Sequence, residues 1–235
     1  SDPFRSDYPL LDLLTKKVKS HHTLIDVGAG AGRLALPLAL RCRHVVAVEP
    51  SPSMAEAFLE EAASHNISNV SLVRAGWEEA EVEPARVVLC SHVFYTVQDI
   101  GAFVRKLEAH AQEWVCVVIF REPPQRRLYP LWERVHGEER LWLPSLPQFK
   151  EVLRELRIEG EMEDLPPQAP SGFDNLEEAW NQLRGRLFLT EGSSKDRLLG
   201  QVLAEELEEF EEGMRLRGSP PMEPVLVSWK PASKE

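Results

Sequence analysis

Cysteine is scarce in this chain. Its 235 residues include three, Cys42, Cys90 and Cys116, spread far apart in apolar stretches. With no CxxC or Cys/His ligand spacing, they argue against a disulfide framework or a metal site and predict buried free thiols. Long hydrophobic runs are also missing. The best, "WVCVVIF" and "LALPLAL", reach about seven residues against the roughly 18 that span a bilayer, so no membrane partner is expected. Positive charge is in the minority, with 27 Lys and Arg against 38 Asp and Glu and a formal net charge of −11. A surface of that sign repels a phosphate backbone unless its basic residues cluster. The strongest cluster, "REPPQRR" at 121–127, is short and not interleaved with aromatics, so no nucleic-acid partner is expected. The first twenty residues lack the basic start, apolar middle and small-residue cleavage site of a secretory signal, which predicts a cytoplasmic protein.

What is present suits a single domain over 1–235, with 43% hydrophobic residues available for one core. From residue 22 to 120, β-branched runs ("TLIDV", "HVVAVE", "VSLVRA", "RVVLCS", "WVCVVIF") alternate with stretches whose apolar residues recur three or four apart. That alternation predicts repeated βαβ units and a parallel sheet. Ser51 and Pro52 suit the cap and first position of a helix. Beyond Phe120, Pro123, Pro124, Pro130, Pro144 and Pro147 interrupt a segment holding Trp132 and His136. "SLPQFKEVLREL" then reads as a capped amphipathic helix and "IEGEMEDL" as a strand. Over 174–217 the spacing of Leu199, Leu203, Leu207, Phe210 and Met214 predicts a helical pair or longer helical insert, and "MEPVLVSWKP" closes the chain as a strand.

The densest chemical signal is "HTLIDVGAGAGRLALPLAL". Gly28, Gly30 and Gly32 place residues without Cβ where the chain turns after its first strand, so a ligand can approach the backbone closely. Dehydrogenases space these glycines G-x-G-x-x-G to seat a pyrophosphate on the helix N-terminus. Here the spacing is G-x-G-x-G, and Asp26 stands two residues before it. An acid there would repel a pyrophosphate, but it can orient the loop or meet a cationic ligand through water.

"LIDVGAGAGRL" resembles motif I of the class I S-adenosylmethionine (SAM) dependent methyltransferases, and "VVAVEPSPSM" resembles their second-strand motif. The resemblance implies that Glu49 accepts hydrogen bonds from the ribose hydroxyls of SAM, with Pro50 beside it; a carboxylate suits a vicinal diol. Met54 is either an adenine contact or core. "VRAGWEEAE" falls where the family has an acid after Gly76; this chain has Trp77, which implies recognition of adenine by stacking or shape. "VVLCSHVFYTVQD" resembles the fourth-strand region of small-molecule members, putting Cys90, Ser91 and the following loop beside the methyl donor. It lacks the (D/N)PP(Y/F) motif of amino-directed DNA methyltransferases.

His92 is the candidate general base, weighed against an ordinary loop histidine. An imidazole titrating near pH 6.5 would be largely neutral in the cell. Tyr95, Trp132 and His136 are candidate acceptor-binding residues, each weighed against simple packing. His21 and His22, just before the first strand, are expected to be solvated.

The resemblance implies a Rossmann-like, doubly wound, seven-stranded, mostly parallel α/β sheet of order 3-2-1-4-5-7-6, with a helical insert over approximately 174–217 between the last two strands. The expected reaction is methyl transfer from SAM to a small-molecule acceptor, leaving S-adenosylhomocysteine (SAH). The rival readings are a non-catalytic SAM/SAH-binding module and a nicotinamide-dependent dehydrogenase. A homodimer is left open.

Overall fold

The computed structural model describes residues 3–4, 8–170, 172–211 and 213–232. The chain divides into two compact units. One comprises 1–121, 144–166 and 224–235, and the other 122–143 and 167–223.

The first unit is built on a seven-stranded sheet. In chain order its strands are β1 (Thr23–Val27), β2 (His44–Val48), β3 (Val70–Val73), β4 (Ala85–Ser91), β5 (Ala111–Phe120), β6 (Glu161–Asp164) and, after the second unit's hairpin strands β7 (Leu207–Phe210) and β8 (Gly213–Leu216), β9 (Pro224–Trp229). Their spatial order is β3-β2-β1-β4-β5-β9-β6. Strands β1 to β5 pair in parallel, and β9 runs antiparallel between β5 and β6. This is the expected order, with β9 in the place of the seventh strand.

Side chains alternate between two buried faces, as a period of two requires. Leu24, Val87, Leu89, Cys116, Val118 and Leu226 enter one core, and Ile25, Val88, Cys90, Val115, Val117 and Val227 enter the other. Helices α1 (Pro9–Lys17), α2 (Ala35–Ala39) and α3 (Pro52–Ser64) cover the first face through Leu14, Leu36, Leu38 and Phe58. On the second face lie α4 (Ile100–His110) and α6 (Leu146–Glu155), carrying Phe103, Leu107, Phe149 and Leu153. Helix α6 starts at the capping box of Ser145 and Gln148, which satisfies free N–H groups reciprocally. All three cysteines are buried free thiols.

Two expectations fail. His22 is fully buried rather than solvated: its Nδ1 accepts the Lys19 N–H at 3.3 Å, and Nε2 lies 3.5 Å from the Glu113 carboxylate. The Glu113 carboxylate that meets it stands on β5, far away in sequence. The second failure is in the second unit, whose helices are α5 (Tyr129–His136), α7 (Leu176–Arg186) and α8 (Ser194–Glu206). Helix α8 stops at Glu206, and the expected continuation through Phe210 and Met214 is the hairpin of β7 and β8 instead. Gly213 opens β8 at φ +127°, and Glu208 and Arg215, directly opposite, pair at 2.9 Å. A glycine at positive φ and a cross-strand ion pair outweigh a spacing that suits either structure. The core of this unit joins Leu128, Leu131 and Val135 to Leu183, Leu199 and Leu203.

No helix among the described residues is long and apolar enough to cross a membrane.

Candidate cofactor and active site

The strand order reverses between β1 and β4, the position at which open α/β sheets bind ligands beyond their carboxyl ends. The glycine loop leaves β1 there. Gly28, Gly30 and Gly32 have φ of +71°, +56° and +87°, which glycine adopts without strain. Their surroundings differ. A Cβ on Gly28 would stand 2.3 Å from Val93 Cγ2, and one on Gly32 would meet Leu36 Cγ at 2.7 Å and Phe58 Cδ2 at 2.9 Å; one on Gly30 would meet nothing within 4 Å. The outer glycines are fitted to the protein's own side chains, whereas the middle one opens onto free space.

Glu49 lies at the end of β2, 7% exposed. Its Oε2 accepts the Gly30 N–H and its Oε1 the Ser51 N–H, each at 2.8 Å. Each oxygen keeps a second lone pair, so a diol could be accepted beside these bonds. Pro50 is exposed, Ser51 caps α3 by accepting the Met54 N–H, and Met54 is 48% exposed at the first turn of that helix. Met54 is therefore not a core residue. Asp26 is buried, and burial raises its pKa to about 7; Arg33 opposes the rise and Glu49 adds to it. Arg33, which donates to the Tyr8 hydroxyl at 2.7 Å, is the cation that the sequence reading missed. Its only signal was its position directly after Gly32.

Trp77, expected to stack on or shape an adenine site, is 3% exposed. Its ring packs edge-on to His110, with centroids 5.2 Å apart, and Lys106 Nζ lies over it at 5.0 Å. Residues of α4 cover the ring, so its face is packed rather than open. Its Nε1 is buried without a hydrogen-bond partner. Gly76 beside it is partly exposed. Cys90 is fully buried in the core, and burial, reinforced by Asp26, pushes its thiol pKa well above the usual value. Ser91 Oγ is buried without a partner.

His92 follows β4 in the left-handed region, φ +60°. It stacks on Phe120 at a centroid distance of 4.1 Å, and its Nδ1 lies 3.1 Å from the Tyr95 hydroxyl. That hydroxyl accepts the Phe120 N–H at 2.9 Å, which leaves its own proton available to Nδ1; with the proton given to Nδ1, the neutral imidazole carries its proton on Nε2. Burial, and then Arg33, lower the His92 pKa to about 4. The expected value near 6.5 is corrected: the imidazole is neutral at physiological pH and is a weak base. Burial also raises Tyr95, so its hydroxyl stays protonated.

Trp132 and His136 belong to the second unit. Their rings stack at 4.0 Å, His136 Nε2 bonds the Leu187 carbonyl at 3.0 Å, and Lys195 Nζ meets Nδ1 at 3.1 Å. Both ring nitrogens of His136 are thus engaged within that unit. Among the described residues, no group of three or more His, Cys, Asp or Glu could hold a metal ion.

Residues 24–113 match a family model described as a methyltransferase domain. A tRNA/tmRNA (uracil-C(5))-methyltransferase of Pseudomonas paraeruginosa is 29% identical over 107 residues, covering 46% of this chain. The chain spans only 26% of the length of that relative. Among solved structures, a putative methyltransferase from Bacillus halodurans superposes with TM-score 0.65 at 15% identity, covering 97% of this chain and all of that one. The magnesium protoporphyrin IX methyltransferase of Synechocystis, with SAH bound, gives 0.56 at 10% identity, covering 93% of this chain and 81% of its own. Residues 24–113 thus match a methyltransferase domain, set in a sheet of order β3-β2-β1-β4-β5-β9-β6 whose fold those methyltransferase structures share.

Proposed function

We propose that this chain transfers a methyl group from SAM to a small-molecule acceptor. The observation that carries this reading is the grouping of an open Gly30, the Glu49 carboxylate bonded to it and the buried Asp26 around the end of β1. Gly30 would let the cofactor approach the backbone, Glu49 would accept the ribose hydroxyls through its remaining lone pairs, and Met54 offers an exposed thioether to the adenine. Asp26 can complement the cationic end of the cofactor once it is deprotonated, and a nearby cation favours that form. The sulfonium supplies an activated methyl group with a good leaving group. What the protein contributes is alignment and exclusion of water.

His92 acts in this reading as a neutral donor through Nε2, orienting an acceptor rather than deprotonating it. An acceptor that already carries a lone pair, such as a thiolate or neutral amine, needs no base. The net charge of −11 supports a small acceptor over RNA, although the Pseudomonas relative is by name an RNA methyltransferase.

Calorimetry with SAM, SAH and NAD, followed by a search for methylated products among small thiols, amines and phenols and in bulk RNA, tests the proposal. Binding of SAM without NAD, and transfer to a small molecule, is the expected result; transfer to RNA alone would refute the small-molecule assignment. One feature favours a non-catalytic SAM/SAH-binding module: burial lowers the pKa of His92 to about 4, which leaves it a weak base. Any methyl transfer by the purified protein excludes that reading.

A further inference from the structure

The second unit contains a cleft of about 460 Å³, within the range that holds small organic ligands. In a chain of net charge −11, its wall has the opposite balance. Three guanidinium groups, Arg126, Arg127 and Arg186, stand against two carboxylates, Glu122 and Glu223, and Glu122 is ion-paired with Arg126. Burial, and then the charge of Arg186, pull Arg127 below its usual pKa. Arg127 and Arg186 thus feel one another's charge on the wall of one cleft, where an anion contacting both is favoured.

Apart from Gln125, the remaining wall is five prolines and Met222, an apolar surface whose proline rings lose little freedom when a ligand packs on them.

We propose that this cleft binds a small organic anion, its carboxylate or phosphate held by Arg127 and Arg186 and its apolar body along the prolines and Met222. The site does not depend on methyl transfer, and its recognition rests on charge and shape within the second unit alone.

The test titrates the full chain with phenylacetate, phenyl phosphate, methyl phenylacetate and phenethylamine, read by ligand-observed NMR and calorimetry. At least one anion should bind, with affinity that falls as salt is raised, while the neutral ester binds at least about tenfold more weakly and the amine not at all. Which anion is preferred distinguishes carboxylate from phosphate recognition. Arg186→Gln, at an exposed position near the end of α7, should weaken the preferred anion by about tenfold or more, the scale of hydrogen bonds to charged groups. The same samples are titrated with SAM, whose affinity Arg186→Gln should leave unchanged, so a failure here is distinguishable from a failure of the methyltransferase reading. Absence of anion binding at millimolar concentration, equal binding of ester and anion, or an Arg186→Gln variant that binds like wild type would each overturn the proposal.

Discussion

The Gly30 N–H donates to Glu49 Oε2 at 2.8 Å, so the carboxylate at the end of β2 holds the glycine loop that leaves β1. Glu49→Ala should therefore do two things at once. It should strand two backbone donors and destabilise the fold by about 1–3 kcal/mol, and it should weaken SAM about tenfold or more. Comparing SAH with its 2′,3′-dideoxy analogue in both proteins separates these effects, since only the ribose part vanishes with the hydroxyls. Equal losses for the two ligands would leave Glu49 as a loop anchor alone.

The three glycines should respond differently to alanine. Gly30→Ala adds a Cβ facing open space, so the fold should persist at a cost of about 1 kcal/mol for the positive φ, while SAM affinity falls steeply. Gly32→Ala drives a Cβ into Leu36 and Phe58 and should lower the thermal midpoint by several degrees, on the order of 1–3 kcal/mol. Paired calorimetry and thermal denaturation would show the opposite pattern if the free space belonged to Gly32.

Two buried groups at the site pull the stability against pH in opposite directions. The His92 pKa falls from 6.5 unfolded to about 4 folded, so the unfolded chain takes up a proton that the folded chain refuses. Acidification from 6.5 to 4 thus destabilises through this group, by up to about 3 kcal/mol. Asp26 rises from 3.8 to about 7; its folded form keeps a proton that the unfolded chain gives up, and stability is lost as pH rises through that window. His92→Asn, which tolerates the left-handed backbone, removes only the first contribution. The stability of wild type relative to the variant, read from urea midpoints, should then fall on acidification from 6.5 to 4. A difference independent of pH would mean that His92 titrates normally.

If His92 is a donor rather than a base, the acidic limb of the kcat profile should not lie near pH 6.5. Tyr95→Phe frees Nδ1 and leaves the Phe120 N–H without its acceptor, so stability should fall by about 1–3 kcal/mol, with kcat reduced and SAM affinity nearly unchanged. Once an acceptor is known, a wild-type limb near 6.5 that disappears in His92→Asn would restore the general-base role.

The Asp26 pKa predicts one more signal. At pH 7 about half of this carboxyl is protonated, so a bound cation that favours the charged form should expel a fraction of a proton. Calorimetry of SAM binding in buffers of different ionisation enthalpy measures that release. No dependence on buffer would place the cationic end of the ligand away from Asp26.

The strands were legible because each signal is local, whereas their order came from the family resemblance. A β-branched run followed by Gly28, Gly30 and Gly32 needs only neighbours in sequence to be read, and each crossover helix carries its own apolar period. The same locality misled at 207–216, where one spacing serves helix and hairpin alike until the positive φ of Gly213 and the pair of Glu208 with Arg215 decide between them.

By itself, then, the sequence determined the sheet, the glycine loop and the acid at the end of β2, because hydrophobic periodicity and backbone permissiveness are properties of short segments. Only the tertiary structure decided how those residues behave. Trp77 became core because α4 covers it, His22 was buried beside the remote Glu113, and Asp26 and His92 were driven toward their neutral forms because desolvation is set by whatever the rest of the chain packs around a group. The second unit shows the same division: residues 122–143 and 167–223, separated in sequence, supply Arg127 and Arg186 to one cleft, and no local pattern could have foretold that the two charges would meet.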